Sequence, residues 1–316
     1  MACGAAAQET AQLPLIDRTA DGRRIGYWLP VHAGNGESAM MLLDTGSRGL
    51  MIMADKLGKQ GIERTGRRMR HGFLDGTTFE GEIVKARVNF GPVSTAGLVF
   101  LLSVDKAYCA KDKPDCPAQK FNSKSIGGIM GVGLGDVGPL DNPLTCLPSP
   151  LSGGYIFHGG GHGSPASLSL GLTPGNRQGF TMYPMPRMTL TANWRDAFFK
   201  HNTIDVCVSI GEAGIDKLCG KILFDSGSSL NLLQTKSPPA PGAIVRDGLL
   251  RPGMKIDIVP AGMAPVAATS EAAQWSGLTR VIQGGDGRTI LGASSFQILD
   301  ILYDFKGNAI GVRPAR

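Results

Sequence analysis

The sequence predicts a mostly β protein whose chain contains two unequal copies of one lobe. Glycine, proline and β-branched residues interrupt it about every ten positions, and short alternating runs such as 83–88 lie between them. Amphipathic helical patterns are scarce. A four-residue motif occurs twice, each time behind an apolar run and ahead of a distant apolar-apolar-Gly triplet. Such internal repetition predicts two related β lobes.

The composition excludes several classes of protein. The 316 residues suffice for about two domains, and 42% hydrophobic with 18% charged residues exclude a disordered chain, collagen and a coiled coil. No apolar run approaches the length of about 18 residues that a membrane helix needs. The net charge of +6 is scattered, with one denser stretch at 64–70. That stretch predicts a solvated surface loop; an anionic partner such as nucleic acid is the weaker alternative, because no aromatic residues interleave the arginines.

Local patterns predict individual elements along the chain. The clearest hairpin covers 24–43, where the arms RIGYWLPV and SAMMLL flank the turn AGNGE. Short helices are expected at 193–201 and 294–302. A turn-rich segment at 173–179 marks the junction between the two copies.

The repeat itself consists of two blocks. Four apolar residues lead into Asp44-Thr45-Gly46-Ser47, and three lead into Asp225-Ser226-Gly227-Ser228, 181 residues later. The triplets that follow are Ile129-Met130-Gly131 and Ile290-Leu291-Gly292. We therefore expect an N-terminal lobe over residues 13–175 and a C-terminal lobe over residues 176–316.

Asp44 and Asp225 are the candidate catalytic residues. A carboxylate at the end of an apolar strand costs several kcal/mol to bury unless it is protonated or hydrogen-bonded. The residues that follow each aspartate supply what it needs, namely a glycine for a sharp turn with a free N–H, and two hydroxyl donors. One motif of this kind is compatible with a surface turn. Two copies behind apolar strands predict a functional pair.

The cysteines predict two disulfides. Cys109 and Cys116 bracket a polar, turn-like loop, while Cys207 and Cys219 lie at equal distances from a hairpin turn near position 213. Two such pairs favour an oxidising compartment, and six reduced thiols in a cytosolic protein are the alternative. Cys3 and Cys146 are left over and cannot be paired from the sequence.

The first residues bear on localisation. Ala-Cys-Gly at positions 2–4 fits the end of a bacterial lipoprotein signal, which would make Cys3 a lipidated residue, but the apolar segment of such a signal is absent from this chain. The expectation is a secreted or periplasmic protein, with lipid anchoring through Cys3 as an option and a cytoplasmic location as the alternative.

Four segments of this sequence resemble the pepsin-like aspartic protease family, and a compact bacterial member in particular. They are LLDTGS (42–47), LFDSGSS (223–229), GIMGVG (128–133) and the closing stretch 289–312. The resemblance implies a bilobal β fold with a cleft, and Asp44 and Asp225 on its floor sharing one proton. One carboxylate would act as general base on a water while the other donates a proton to the scissile carbonyl.

The resemblance also implies roles for the flanking residues. Thr45 and Ser226 would cross-brace the lobes, and Ser47 and Ser228 would hydrogen-bond the outer carboxylate oxygens. It implies no metal and no organic cofactor. The expected partners are a protein or peptide substrate and pepstatin-type inhibitors, with no nucleic acid, and the expected state is a monomer.

The flap that covers the cleft in this family would lie at 71–83 and departs from the family pattern. Phe73 stands where the family has a tyrosine, and Met51, seven residues after Asp44, stands where it has the tryptophan that bonds this tyrosine. An apolar contact between them would replace that hydrogen bond, and His71 is a second candidate for a polar flap residue. The remaining residues expected at the tip and in substrate binding are Leu74, Asp75, Gly76 and Thr77. Four apolar residues of this region are interpreted equally well as lining of substrate pockets or as core, namely Met51, Phe73, Leu74 and Phe79.

One further constellation was weighed. His158 and His162 are four residues apart, as zinc ligands on a helix can be, but three intervening glycines favour a flexible loop. The predicted function is therefore an aspartic endopeptidase that prefers apolar residues around the scissile bond. The alternative is a weak or inactive pepsin-fold binding or inhibitor protein, for which the altered flap leaves room.

Overall fold

The computed structural model describes residues 8–20, 23–122, 126–135, 138–160, 164–186, 198–199, 201–268, 279–284 and 289–315. Strands dominate this part of the chain. In the first half they are β1 (Ala11–Pro14), β2 (Ile16–Ala20), β3 (Arg23–Ala33), β4 (Ala39–Asp44), β5 (Arg48–Met53), β6 (Ile62–Gly72), β7 (Thr77–Ala86), β8 (Val88–Phe90), β9 (Val93–Ser94), β10 (Val99–Cys109), β11 (Gly128–Val132), β12 (Gly154–His158) and β13 (Ser167–Leu170).

The second half is built in the same way. Its strands are β14 (Thr181–Pro184), β15 (Thr203–Ile210), β16 (Ile215–Phe224), β17 (Asn231–Thr235), β18 (Ile256–Pro260), β19 (Val266–Ala268), β20 (Thr279–Gln283), β21 (Thr289–Leu291), β22 (Leu299–Asp304) and β23 (Ala309–Pro314). The one-turn helix α1 spans Gln119–Asn122, and short 3₁₀ helices lie at Ala54–Lys56, Leu151–Gly153, Gly211–Ala213 and Ala293–Gln297.

Within the described ranges the strands form three sheets. The N-terminal sheet has the order β6-β7-β10-β5-β11-β4-β3-β8-β9, with β2 paired to β3, and the C-terminal sheet has the order β19-β18-β15-β16-β21-β17-β20. The third sheet, β1-β13-β12-β22-β23-β14, takes strands from both halves of the chain. The hairpin expected at 24–43 is confirmed as β3 and β4, with Trp28 opposite Leu42.

The internal repeat has a structural counterpart in the two outer sheets. In the N-terminal sheet β11 runs parallel to β4, which ends at Asp44, and antiparallel to β5, which follows it. In the C-terminal sheet β21 runs parallel to β16, which ends just before Asp225, and antiparallel to β17. Each motif is therefore a turn between two strands, and the strand of the distant triplet lies between those two strands in the sheet, as the repeat predicts.

The third sheet contains strands from both sides of the predicted boundary between the lobes. Strand β13 ends at Leu170 and β14 begins at Thr181, with turns at 174–179 between them. The third sheet therefore joins strands from both sides of the expected boundary at 175/176. The lobe limits of 13–175 and 176–316 remain predictions.

Two local expectations were wrong in part. The helix expected at 294–302 is a 3₁₀ helix only as far as Gln297, and 299–302 belong to β22. All six residues of β22 are buried, so its continuous apolar run follows from burial on both faces of a sheet rather than from a helical period. Of the helix expected at 193–201, Phe198, Phe199 and His201 are helical, and the rest lies outside the described residues.

The basic stretch 64–70 is part of β6, the edge strand of the N-terminal sheet, and not a loop. Acidic residues of the neighbouring strands balance part of its charge. Arg64 lies 2.6 Å from Glu82, and Arg68 forms ion pairs with Glu80 and Asp105. Charged side chains on an edge strand also oppose pairing with another chain.

Both expected disulfides are present. Cys109 bonds to Cys116, and Cys207 bonds to Cys219, its direct cross-strand partner on β16. Cys146 lies outside both disulfides and is half-buried, while Cys3 lies outside the described residues. Among the described residues, no helix has the length and apolar composition needed to cross a membrane.

Candidate active site

Asp44 and Asp225 meet where the two outer sheets face each other. Asp44 is the last residue of β4, and Asp225 follows β16, whose last three residues are buried; the two carboxyl groups lie within hydrogen-bonding contact. Asp44 is 6% exposed, and Asp225 is partly exposed. The structure thus brings together two carboxyl groups that are 181 residues apart in the sequence.

The glycine of each motif makes room for the carboxylate of the other. A Cβ at Gly46 would lie 2.4 Å from Cγ of Asp225, and a Cβ at Gly227 would lie 2.6 Å from Cγ of Asp44. Both distances are far below van der Waals contact. The glycines are therefore required by the close approach of the two lobes as well as by the turn.

Thr45 and Ser226 form a reciprocal cross-brace between the lobes. The Thr45 hydroxyl donates to the Phe224 carbonyl at 2.7 Å, and the Ser226 hydroxyl donates to the Leu43 carbonyl at 2.7 Å. Each backbone N–H also donates to the other residue's hydroxyl, at 3.1 Å from Thr45 and 3.0 Å from Ser226. Both residues are fully buried, so these four bonds fix the two turns against each other without competition from water.

The two carboxylates differ in their remaining partners. The Ser47 hydroxyl and the Gly46 N–H, the latter at 2.8 Å, both donate to Asp44. Asp225 accepts the N–H groups of Gly227 at 2.9 Å and Ser228 at 3.2 Å. The Ser228 hydroxyl instead donates to the Leu230 carbonyl at 2.7 Å. The expectation that Ser228 would hydrogen-bond a carboxylate oxygen through its side chain was therefore wrong, because a local turn captures its hydroxyl.

This difference affects the pKa values of the two carboxyl groups unequally. Burial raises the pKa of Asp44, and the negative charge of Asp75 adds to the rise, while hydrogen bonds from Ser47 and the Gly46 N–H oppose it. Burial raises the pKa of Asp225 well above its ordinary value, and the charge of Asp44 raises it further. The Ser47 hydroxyl therefore favours the ionised form of Asp44, whereas the pKa of Asp225 is raised more strongly.

The flap is the hairpin of β6 and β7, with its tip at residues 73–76. Backbone bonds from Phe73 N–H to Thr77 O and from Gly76 N–H to Phe73 O close the tip, at 2.8 Å and 3.1 Å. The Asp75 carboxylate accepts the Thr77 N–H at 2.8 Å. Leu74 is 54% exposed.

The apolar residues expected near the flap divide into two groups. Met51 and Phe79 are fully buried in an apolar cluster with Trp28, so for these two the core interpretation holds and the substrate-binding expectation for Met51 was wrong in this conformation. Phe73 is half-buried and packs against the same cluster, with ring centroids 5.3 Å from Phe79 and 4.7 Å from His71. Met51 and Phe73 thus belong to one apolar contact region; their correspondence with the family's tryptophan and tyrosine stays a prediction.

The loop at 109–116 lies against the tip of the flap, a contact that the sequence did not predict. The Ala110 N–H donates to the Gly76 carbonyl at 2.8 Å, and Lys113 Nζ donates to the Leu74 carbonyl. Both donors lie in the loop that the Cys109–Cys116 disulfide closes. The cysteines were visible in the sequence, but the contact between the loop and the flap depends on the tertiary fold.

Sequence reasoning also missed the residues that support the floor of the cleft from the C-terminal half. Asn202 accepts the Leu134 N–H at 2.6 Å and donates to the Leu134 carbonyl at 3.0 Å. A Cβ at Gly133 would lie 2.5 Å from Cζ of Phe198. These contacts hold the chain just beyond β11 against the opposite half. A single asparagine carries no sequence signal that could have identified it.

Of the two histidines His158 and His162, only His158 lies among the described residues. His158 Nδ1 lies 3.0 Å from an Asp300 oxygen, and Arg313 Nε donates to the other oxygen at 2.9 Å. His162 lies outside the described residues, so its relation to His158 is not part of the structure.

Comparisons with known proteins agree with this geometry. Residues 27–177 match the family model of the PE-PGRS C-terminal aspartyl peptidase-like domain. Comparison with curated protein sequences found no match. Among solved structures, the aspartic proteinase from Irpex lacteus superposes with a TM-score of 0.65 at 15% identity, over 97% of each chain.

The comparison with solved structures shows a pepsin-like fold. The chain has the bilobal aspartic proteinase fold, with most of its residues in strands and a pair of aspartates between the two outer sheets. Its N-terminal half is similar to the aspartyl peptidase-like domain.

Proposed function

We propose that this protein is an aspartic endopeptidase that hydrolyses peptide bonds with a water activated between Asp44 and Asp225. The observation that carries the proposal is the close pair of carboxyl groups, Asp44 buried and Asp225 partly exposed, held by the cross-brace of Thr45 and Ser226. Such a pair has no structural use that offsets the cost of burying it, so it is best explained by acid–base chemistry.

The asymmetry of the pair assigns a role to each member. Asp44, supported by Ser47, is the general base that removes a proton from the water. Asp225 holds the proton and donates it to the carbonyl oxygen of the scissile peptide. When the C–N bond of the tetrahedral intermediate breaks, Asp44 passes the proton it gained to the leaving amine, and Asp225 recovers its proton from the hydroxyl group whose oxygen becomes the carbonyl of the product carboxyl group. No metal or organic cofactor takes part in this scheme.

The substrate is proposed to be an extended peptide lying beneath the flap. The exposed side chain of Leu74 and the half-buried ring of Phe73 offer apolar contacts next to the scissile bond, which supports a preference for apolar residues there. Backbone groups of the peptide would add to the flap as a strand does. The two disulfides support a secreted or periplasmic location. A monomer suffices, because one chain supplies both aspartates.

The test is cleavage of a denatured protein between about pH 2.5 and 7, with and without pepstatin. Wild type is compared with Asp44→Asn and Asp225→Asn, which keep the shape of the site. Pepstatin-sensitive cleavage that both variants lose would support the proposal. Cleavage that persists in both variants would refute the mechanism.

One observation favours a second candidate, a pepsin-fold binding or inhibitor protein. The Ser228 hydroxyl is turned to the Leu230 carbonyl, so Asp225 lacks a side-chain donor equivalent to Ser47. A folded wild type that cleaves nothing at any pH, yet binds a peptide ligand that the Asp225→Asn variant binds equally well, would establish this alternative.

A further inference from the structure

We propose that the loop 109–116, named here the anchor loop, positions the tip of the flap, and that Lys113 is the positioning residue within it. The kinetic effect expected for a change at Lys113 rests on the proposed function. The structural part rests on the contacts alone. The anchor loop touches the flap and not the reacting atoms, so its role is to hold the element that covers the cleft.

Three contacts join the anchor loop to the tip. The Ala110 N–H donates to Gly76 O at 2.8 Å, and Lys113 Nζ donates to Leu74 O. The backbone of Gly76 also packs against the Lys113 stem, because a Cβ at Gly76 would lie 2.5 Å from Cβ of Lys113. Two backbone carbonyls of the tip are thus held from outside the hairpin, one of them by a charged donor.

The tip depends on this support because its own bonds are local. The hydrogen bonds of residues 73–77 within the hairpin close the turn without tying it to the lobe. Phe73 and Met51 carry no polar group that could form a side-chain tie between the tip and the lobe. Strand β7 pairs with β10 as far as Thr77, which lies opposite Cys109, so only the turn at 73–76 lies beyond the paired residues of the sheet. In the described part of the chain, the hydrogen bonds that reach the tip from elsewhere come from the anchor loop.

The anchor loop is itself restrained at both ends. The disulfide holds the Cα atoms of Cys109 and Cys116 5.5 Å apart. Backbone bonds from Lys113 N–H to Ala110 O and from Cys116 N–H to Lys113 O turn the chain between them. Closing a loop covalently reduces the number of conformations it can adopt when its contacts break. The disulfide therefore keeps Lys113 within reach of the flap.

Hydrogen exchange of the flap tests the positioning directly and does not require activity. Amides in 70–80 are followed by mass spectrometry in wild type, in Lys113→Met and in the double variant Cys109→Ser/Cys116→Ser. Met keeps an unbranched stem against Gly76 but cannot donate to Leu74 O. We expect exchange about threefold faster in Lys113→Met and about tenfold faster in the double variant, as expected for one exposed charged hydrogen bond and for a closed loop.

Two matched controls separate anchoring from general loosening. Lys111→Met changes another exposed lysine of the same loop. Cys207→Ser/Cys219→Ser removes the other cross-strand disulfide, which lies in the C-terminal sheet. Flap exchange at the wild-type rate in both controls supports the proposal. Flap exchange that is unchanged in Lys113→Met and in Cys109→Ser/Cys116→Ser, or equally fast in the controls, overturns it.

Kinetics give the second readout. Because Lys113 acts through the flap, Lys113→Met should raise KM several-fold while kcat and its pH profile stay close to wild type. A loss in kcat with unchanged KM would contradict a positioning role. If wild type cleaves nothing, the proposed function fails, and the exchange experiment still decides whether the anchor loop holds the flap.

Discussion

Replacing Thr45 with Ala tests the contact that joins the lobes at the floor of the cleft. The change removes the hydroxyl that donates to Phe224 O at 2.7 Å and accepts the Ser226 N–H at 3.0 Å. Each buried group left without a partner costs about 1–3 kcal/mol. The Tyr303 hydroxyl, 3.5 Å from Phe224 O, still offers that carbonyl a weak donor. We therefore expect a loss of about 2–4 kcal/mol in the free energy of unfolding.

The matched control is Thr45→Ser, which keeps the hydroxyl and removes only a methyl group. The C-terminal motif already uses a serine, Ser226, in the equivalent place, so the geometry accepts this residue. We expect a cost of about 1 kcal/mol for the methyl group. Urea unfolding followed by circular dichroism measures both variants. Equal losses for Ala and Ser would refute the claim that the hydroxyl, rather than packing, holds the lobes together.

A double-mutant cycle with Ser226→Ala sharpens the same test. The two residues share one network, so the loss in the double variant should be smaller than the sum of the single losses by at least about 0.5 kcal/mol. Strict additivity would mean that the two halves of the cross-brace act independently. Peptide hydrolysis, where it is observed, should fall in Thr45→Ala and persist in Thr45→Ser, because the brace positions the carboxyl groups.

Three further predictions follow from the site and the flap. Asp225→Asn should stabilise the fold at pH 7 and have no effect near pH 3. Because the pKa of Asp225 is higher in the folded than in the unfolded protein, its contribution to stability is complete below the pKa of the unfolded state and is lost as pH rises, at about 1.4 kcal/mol per unit of pKa shift. Thermal unfolding of the two proteins across this pH range checks the prediction. Gly46→Ala should lower the free energy of unfolding by about 1–3 kcal/mol and abolish hydrolysis, because its Cβ would overlap the Asp225 carboxyl group. The control Gly97→Ala, which has open space around its Cβ, should change neither quantity. Gly76→Ala should speed exchange of the flap more than Lys113→Met does, since it combines a φ of +94° with a clash against the Lys113 stem; equal exchange rates would contradict this.

Patterns of short range predicted a large part of the fold. The hairpin of β3 and β4 follows from alternation and a glycine turn, and the Cys207–Cys219 bond follows from symmetry about a turn. Both depend on residues that are near in sequence. The helix expected at 294–302 failed because an apolar run is ambiguous until its burial is known, and β22 is buried on both faces.

The sequence by itself determined the two aspartates, their glycines and their hydroxyl donors, because the cost of burying a carboxylate restricts the residues that can follow it. It did not determine which aspartate holds the proton. The two aspartates differ in their donors because Ser47 faces Asp44 while the Ser228 hydroxyl donates to Leu230 O, and only the folded structure shows these partners.

Only the tertiary structure decided what holds the flap. Phe73, Lys113 and the Cys109–Cys116 bond were all visible in the sequence, yet nothing local relates the loop to the tip. Their contact arises because β7 pairs with β10 over its whole length and delivers the end of one beside the turn of the other. Residue types restrict the chemistry at each position, whereas the pairing of distant strands decides which of those positions meet.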